Sequence, residues 1–183
     1  MKRRHGSGAA AFLLLALAAS ACGGRPSEQG RAGEAAPAAA SAAPRPAPDV
    51  ALRSLEGETV RLSAFAGKVR LVDFWATWCA PCREAIPGLE DLYGRYRDRG
   101  LEIIAISMDE DGPAVVKPFV ERARIPYTNL MGTDEAAEAF GVLGLPATFL
   151  IDEKGMIVQS WVGGVPKRVL EEKIREALRV GPA

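Results

Sequence analysis

Histidine is almost missing from this chain of 183 residues: the one copy, His5, stands near the N-terminus. Downstream of it, a histidine-ligated metal centre has no imidazole ligand, and a cysteine–histidine hydrolytic couple has no base. An excess of either charge is missing too. Lys+Arg and Asp+Glu number 23 each, so no basic surplus points to nucleic acid. Cysteine is scarce, with three copies at Cys22, Cys79 and Cys82. Long apolar runs are absent: the most conspicuous, "AAAFLLLALAAS", is about a dozen residues. That is short of the roughly 20 that span a bilayer. What remains is an ordinary globular composition, 48% hydrophobic and 25% charged, on a length that suits one domain with a real core and hardly two.

The apolar run follows a short positive start, "MKRRHGSG", and together they read as a signal peptide over residues 1–21, which predicts export. Its removal takes Lys2, Arg3 and Arg4 and leaves 20 basic against 23 acidic side chains, so charge alone does not hold the mature chain to a membrane. The run ends in "LAASACGG", which resembles the lipobox of bacterial lipoproteins: Ala19, Ser20 and Ala21 lead directly into Cys22. In that family the cysteine is diacylated and becomes the new N-terminus. The usual leucine three places before it is here Ala19, with Leu17 two places too early. The alternative is ordinary cleavage after an A-x-A-like site, leaving Cys22 as a free thiol. A lone thiol in an oxidising compartment is a liability that acylation removes, which favours the lipid. Residues 22–48 then form a disordered Ala/Pro/Gly-rich tether, because "GGRPSEQGRAGEAAPAAASAAPRPAP" holds almost no large apolar side chains to repay the entropy of folding. As a flexible coil its ends lie about 30 Å apart. Its role is either to let an anchored domain swing or simply to act as a spacer.

From Asp49 to the end, strand-like and helix-like segments alternate. A short strand precedes Gly67 in "TVRLSAFAGK". "VRLVDFW" (69–75) and "LEIIAIS" (101–107) are nearly continuous apolar runs, the pattern of strands buried on both faces. "APCREAIPGLEDLYGRYRDRG" reads as a helix: Ala80 and Pro81 suit its first turn, Ile86, Leu89, Leu92, Tyr93 and Tyr96 recur at helical spacing, and Gly100 stops it. Pro87 predicts a kink. A helix through "GPAVVKPFVERAR", a short strand in "YTNL" and a small helix over 134–142 follow. "ATFLIDEKGMIVQSWVG" gives two strands joined by a tight turn at 153–155, and "PKRVLEEKIREALRV" a last helix. The sum is a single α/β domain over 49–183, a mixed central sheet with helices on both faces and no internal repeat.

Cys79 and Cys82 sit where a central strand hands over to a helix. A structural disulfide, half a zinc site, a haem attachment point and a redox couple compete for such a pair. The loop between them is too small for a staple to constrain the unfolded chain much. Zinc needs four ligands. Haem attachment needs histidine after the second cysteine, and position 83 is Arg. At a helix N-terminus the exposed N–H groups and the dipole favour a thiolate at Cys79, and Cys82, almost one turn on, points the same way. A reversible bond fits best.

"VDFWATWCAPC" resembles the active-site segment of the thioredoxin superfamily, and "WATWCAPCREAIPGL" with "GLPATFLID" downstream is similar to its exported TlpA/ResA-like branch. The resemblance spans roughly residues 50–178 and implies a thioredoxin-like fold. It implies that Cys79 is the attacking, more exposed thiol and Cys82 the buried resolving one. Pro81 between them tunes the reduction potential, and Ala80 fills the variable slot. Pro146 matches the family's cis-proline, which faces the disulfide and lets neighbouring backbone pair with an extended substrate segment. Asp73 aligns with the buried aspartate that carries a proton for the resolving thiol; the rival account turns it towards a polar edge. Trp78 is expected to cover the disulfide. Trp75, Phe74 and Trp161 read as packing, Tyr127 and Met131 as core rather than groove, and Gly163 and Gly164 receive no role.

The branch implies an enzyme, a membrane-tethered thiol-disulfide oxidoreductase outside the cytoplasmic membrane, on the bacterial periplasm side. Most such proteins are reductants, fed electrons by a membrane thiol carrier and acting on exported cysteine-containing proteins such as apocytochromes c or copper-site proteins. No cofactor, metal or nucleic acid is implied. An oxidant or isomerase of the same fold is the near alternative. An alkyl-hydroperoxide-reductase-like peroxidase needs Pro-x-x-x-Thr-x-x-Cys, but Thr77 is only two before Cys79 and residue 72 is Val. A copper chaperone on this fold lacks its distant histidine.

Overall fold

The structure is a computed structural model that describes residues 43–179; the expected signal peptide, Cys22 and the tether up to residue 42 lie outside the described residues. Eight strands make one sheet: β1 (Arg45–Pro46), β2 (Ala51–Ser54), β3 (Thr59–Arg61), β4 (Val69–Trp75), β5 (Leu101–Ser107), β6 (Thr128–Met131), β7 (Ala147–Ile151) and β8 (Met156–Val162). Their order is β1-β8-β7-β4-β5-β6-β2-β3. β4, β5 and β6 are parallel, and the remaining pairings are antiparallel. The two apolar runs are the middle of the sheet and are buried at every position, because helices cover both faces.

Successive side chains of β4 point to opposite faces. Val69, Leu71 and Trp75 join a core with α1 (Ala80–Tyr96), α2 (Pro113–Ala123) and α4 (Lys167–Ala177), through Leu89 and Leu92, Val116, and Leu170 and Ile174. Val72 and Phe74 join the other core, with Ala136 and Phe140 of α3 (Asp134–Phe140). There Phe74 lies 5.3 Å from the Phe140 ring and 5.9 Å from Phe149. Such tilted aromatic pairs add about 1 kcal/mol each beyond their buried area. By the same alternation, Asp73 faces the layer of α1.

Two features depart from the sequence reading. Arg45 and Pro46 pair with Ile157 and Met156, and Arg45 Nη2 donates to Phe140 O at 2.7 Å, so the sheet takes in residues before Asp49, inside the stretch expected to be tether. A proline is tolerated there because an edge strand leaves one row of its backbone groups unpaired. β2 was not foreseen; it folds back on β3 and extends the sheet beyond β6. α1 is continuous through Pro87, with Ile86, Leu89 and Leu92 on both sides of it buried in the core. It ends in a tight turn at Arg97–Arg99 and a left-handed Gly100, φ 98°.

Candidate active site

Cys79 caps α1: its Sγ accepts the Cys82 N–H at 3.3 Å, and Ala80 and Pro81 open the helix. Pro81 fits because the first-turn N–H it lacks has no partner within the helix. Cys79 and Cys82 are joined by a disulfide, with Cα atoms 5.3 Å apart. Cys79 is 5% exposed and Cys82 1%, so both residues are buried in this oxidised form.

Beneath the helix lies Asp73, 5% exposed and facing Thr148 on β7, whose hydroxyl donates to Asp73 Oδ1 at 2.8 Å. The polar-edge account is thereby excluded: β4 is central and its neighbours are β5 and β7. Burial pushes the carboxyl up to about 7, the Thr148 hydrogen bond pulling weakly the other way. A group poised there can take or give a proton near neutral pH. Tyr127, buried and edge-on to Tyr93 at 6.0 Å, belongs to the core. Burial first, then the charges of Asp73 and Glu90, raise its phenol.

The Leu145–Pro146 bond is cis, and Pro146 O accepts the Gly163 N–H at 2.8 Å, which binds the start of β7 to the end of β8. Gly163 has φ 86°, a conformation suited to glycine. Trp78, expected to cover the disulfide, is 67% exposed and lies outside both cores, while its neighbour Thr77 donates its N–H to Asp109. Leu143, ahead of Pro146, is 88% exposed, and Val162 is also exposed. Trp75 packs on Phe119 at 5.4 Å, and Phe74 and Trp161 are core. Met131 packs partly buried against the core.

Sequence reasoning passed over Asp109 and Ser107. Asp109 is buried just beyond β5 and accepts from the Thr77 N–H at 2.9 Å, the Thr77 hydroxyl and the Ser107 hydroxyl at 2.7 Å. The only signal was an acid two residues after a serine at the end of a buried strand.

The profile of the AhpC/TSA family matches residues 44–160. Thiol-disulfide oxidoreductase ResA of Bacillus thuringiensis subsp. konkukian is 37% identical over 131 residues, 71% of this chain and 75% of that one. The ResA of Halalkalibacterium halodurans is 37% identical over 122 residues, covering 66% and 69%. Among solved structures, a thiol:disulfide interchange protein of the thioredoxin family from Chlorobium tepidum superposes with a TM-score of 0.68 at 30% identity, covering 76% of this chain and 99% of that one. The thioredoxin-like fold and the ResA likeness expected from "WATWCAPC" and "GLPATFLID" are both borne out. With a strand-to-helix disulfide above a buried carboxyl, the chain belongs to the AhpC/TSA family and is a thiol-disulfide oxidoreductase similar to ResA.

Proposed function

We propose that the protein is a membrane-tethered, extracytoplasmic reductant of disulfides in exported proteins, working through Cys79 and Cys82. The observation that carries the chemistry is the Cys79–Cys82 disulfide at the N-terminus of α1, with Asp73 facing the same layer. In the reduced state the Cys79 thiolate attacks a substrate disulfide, forming a mixed disulfide and expelling one substrate thiolate, which takes a proton. Cys82 then loses its proton to Asp73, attacks Cys79 Sγ and expels the second substrate sulfur as a thiolate, which takes a proton from Asp73 or water. Two electrons have passed to the substrate, and the Cys79–Cys82 bond has formed. Two electrons from a membrane thiol carrier reopen it. Pro81 and Ala80 tune the couple, and Pro146 borders the place where an extended substrate segment would lie. Trp78, Leu143 and Val162 offer that segment apolar contact.

Export and anchoring rest on the leader and on the lipobox-like "LAASACGG" before Cys22. No described helix is long and apolar enough to cross a membrane. Reductive direction, with apocytochromes c or copper-site proteins as substrates, is the reading favoured by the likeness to ResA. The peroxidase alternative within the family is disfavoured because the Thr77 hydroxyl, two residues before Cys79, is engaged by Asp109. The deciding experiment is the reduction potential of the Cys79–Cys82 couple in thiol redox buffers. A value near roughly −270 mV supports a reductant; one near roughly −120 mV makes the protein an oxidant and overturns the direction.

A further inference from the structure

Three donors converge on the two oxygens of Asp109: Oδ2 takes the Thr77 N–H at 2.9 Å and the Ser107 hydroxyl at 2.7 Å, and Oδ1 takes the Thr77 hydroxyl. The Asp109 N–H in turn donates to Ser107 Oγ at 3.2 Å. Around this cluster the Met108 N–H reaches Trp75 O at 2.8 Å, and the Cys79 N–H closes back on Ala76 O at 3.1 Å. The four residues between the end of β4 and α1 are therefore held at both ends by backbone and in the middle by one side chain from just beyond β5. We propose that Asp109 is a positioning residue for the redox couple: through Thr77 it fixes the loop that sets Cys79 Sγ at the N-terminus of α1.

The physical reason is distance. The stabilisation that a helix N-terminus gives a thiolate fades within the first turn. A displaced attacking atom loses reaction geometry as well, and about 1 Å of misplacement can cost on the order of a hundredfold in rate. A carboxylate accepts all three of these donors, whereas a carboxamide has one acceptor oxygen and can keep the set only if a Thr77 or Ser107 hydroxyl reverses its role and accepts. The dependence is mutual, because a buried Asp109 is costly unless Thr77 and Ser107 supply its hydrogen bonds. A clamp that served stability alone would leave the chemistry of Cys79 unchanged in any molecule that still folds. A positioning residue would not.

The inference rests on Cys79 being the attacking thiol, which is checked separately by Cys79→Ser: if that variant retains disulfide reductase activity, the assignment fails, whatever Asp109 does. The test proper uses the full chain carrying Asp109→Asn or Thr77→Val, with Thr77→Ser as the conservative partner. The readouts are the pH dependence of Cys79 alkylation by iodoacetamide and kcat/KM for a protein disulfide. For Thr77→Val, which leaves the Asp109 charge in place, the expected result is an upward shift of the Cys79 titration by about one unit. Asp109→Asn also deletes a negative charge, which by itself pulls that titration down. For it the expected result is a fall in kcat/KM of roughly tenfold, shared by Thr77→Val. Thr77→Ser should behave as the parent, and the double variant should be no worse than Asp109→Asn. If Asp109→Asn does not fold, Thr77→Val decides by the same criteria. Variants that fold, melt earlier, yet titrate and turn over as the parent does would overturn the proposal and leave Asp109 a stabilising clamp only.

Discussion

The hydroxyl of Thr148 donates to the carboxyl of Asp73 at 2.8 Å across two central strands, in a register where the two residues stand directly opposite. Thr148 is the one hydrogen-bond partner found for that carboxyl in the described structure, and its single donated bond, which favours the anion, only partly offsets the loss of water on burial, which favours the neutral acid. The native state therefore holds the proton to about pH 7, against 3.8 for an ordinary aspartate.

Because the folded value is raised, Asp73 contributes fully below about pH 4, and that contribution is lost as pH rises towards 7. The unfolded chain binds fewer protons than the native one throughout this window. At 1.36 kcal/mol per unit, the cost of the anion above pH 7 is on the order of 4 kcal/mol. Asp73→Asn should therefore stabilise the oxidised protein by several kcal/mol at pH 8 and hardly at all at pH 4, read from urea unfolding midpoints. An equal gain at both pH values would show that the carboxyl is not the titrating group.

Asp73→Asn should also slow the release of substrate from the mixed disulfide at pH 7, by at least the hundredfold typical of a lost proton acceptor. Its first step, the attack by Cys79, should be unaffected. Rapid-mixing measurements that separate the two steps check this, and a slowed first step would contradict the assignment.

Cys82→Ser should accumulate a covalent adduct between Cys79 and a protein substrate, visible as a mass increase that dithiothreitol reverses. Cys79→Ser should give no adduct. The opposite pattern would exchange the roles of the two sulfurs.

How much of this was legible in the sequence depends on how far each contact reaches. The apolar runs over 69–75 and 101–107 announce central strands because burial on both faces leaves few polar positions, and Asp73, in the middle of its strand, stood out for the same reason. The short edge strands carry no such pattern: in "RP" and "ALRS" only Leu52 is buried, so nothing alternates long enough to be read. Asp109 was overlooked because its meaning lies in Thr77, 32 residues earlier.

Leu143→Glu should leave unfolding free energy within about 0.5 kcal/mol of the parent, as fits a fully solvated side chain. It should raise KM for a protein disulfide while sparing a small aromatic disulfide such as dithiobis-nitrobenzoate. Equal effects on both would remove Leu143 from the substrate surface.

Arg45→Ala should lower stability by about 1 kcal/mol, since it deletes the guanidinium bond to Phe140 O that pins β1. Thermal melts of the two proteins test this. No change would mean that the segment before Asp49 adds nothing to the fold.

The place where the chain joins the sheet gives the molecule a polarity. Arg45 stands in one cross-strand row with Ile157, Ile151 and Arg70, and Arg70 is the second residue of β4, whereas Cys79 follows that strand's last residue. At about 3.3 Å per residue, five steps of β4 put this end roughly 17 Å from the rim that carries the disulfide. The domain thus has a handle and a working tip on opposite sides. A bead or surface coupled at Ala43 would leave Cys79 pointing away from the support, free to meet large clients, with no hinge required to turn it.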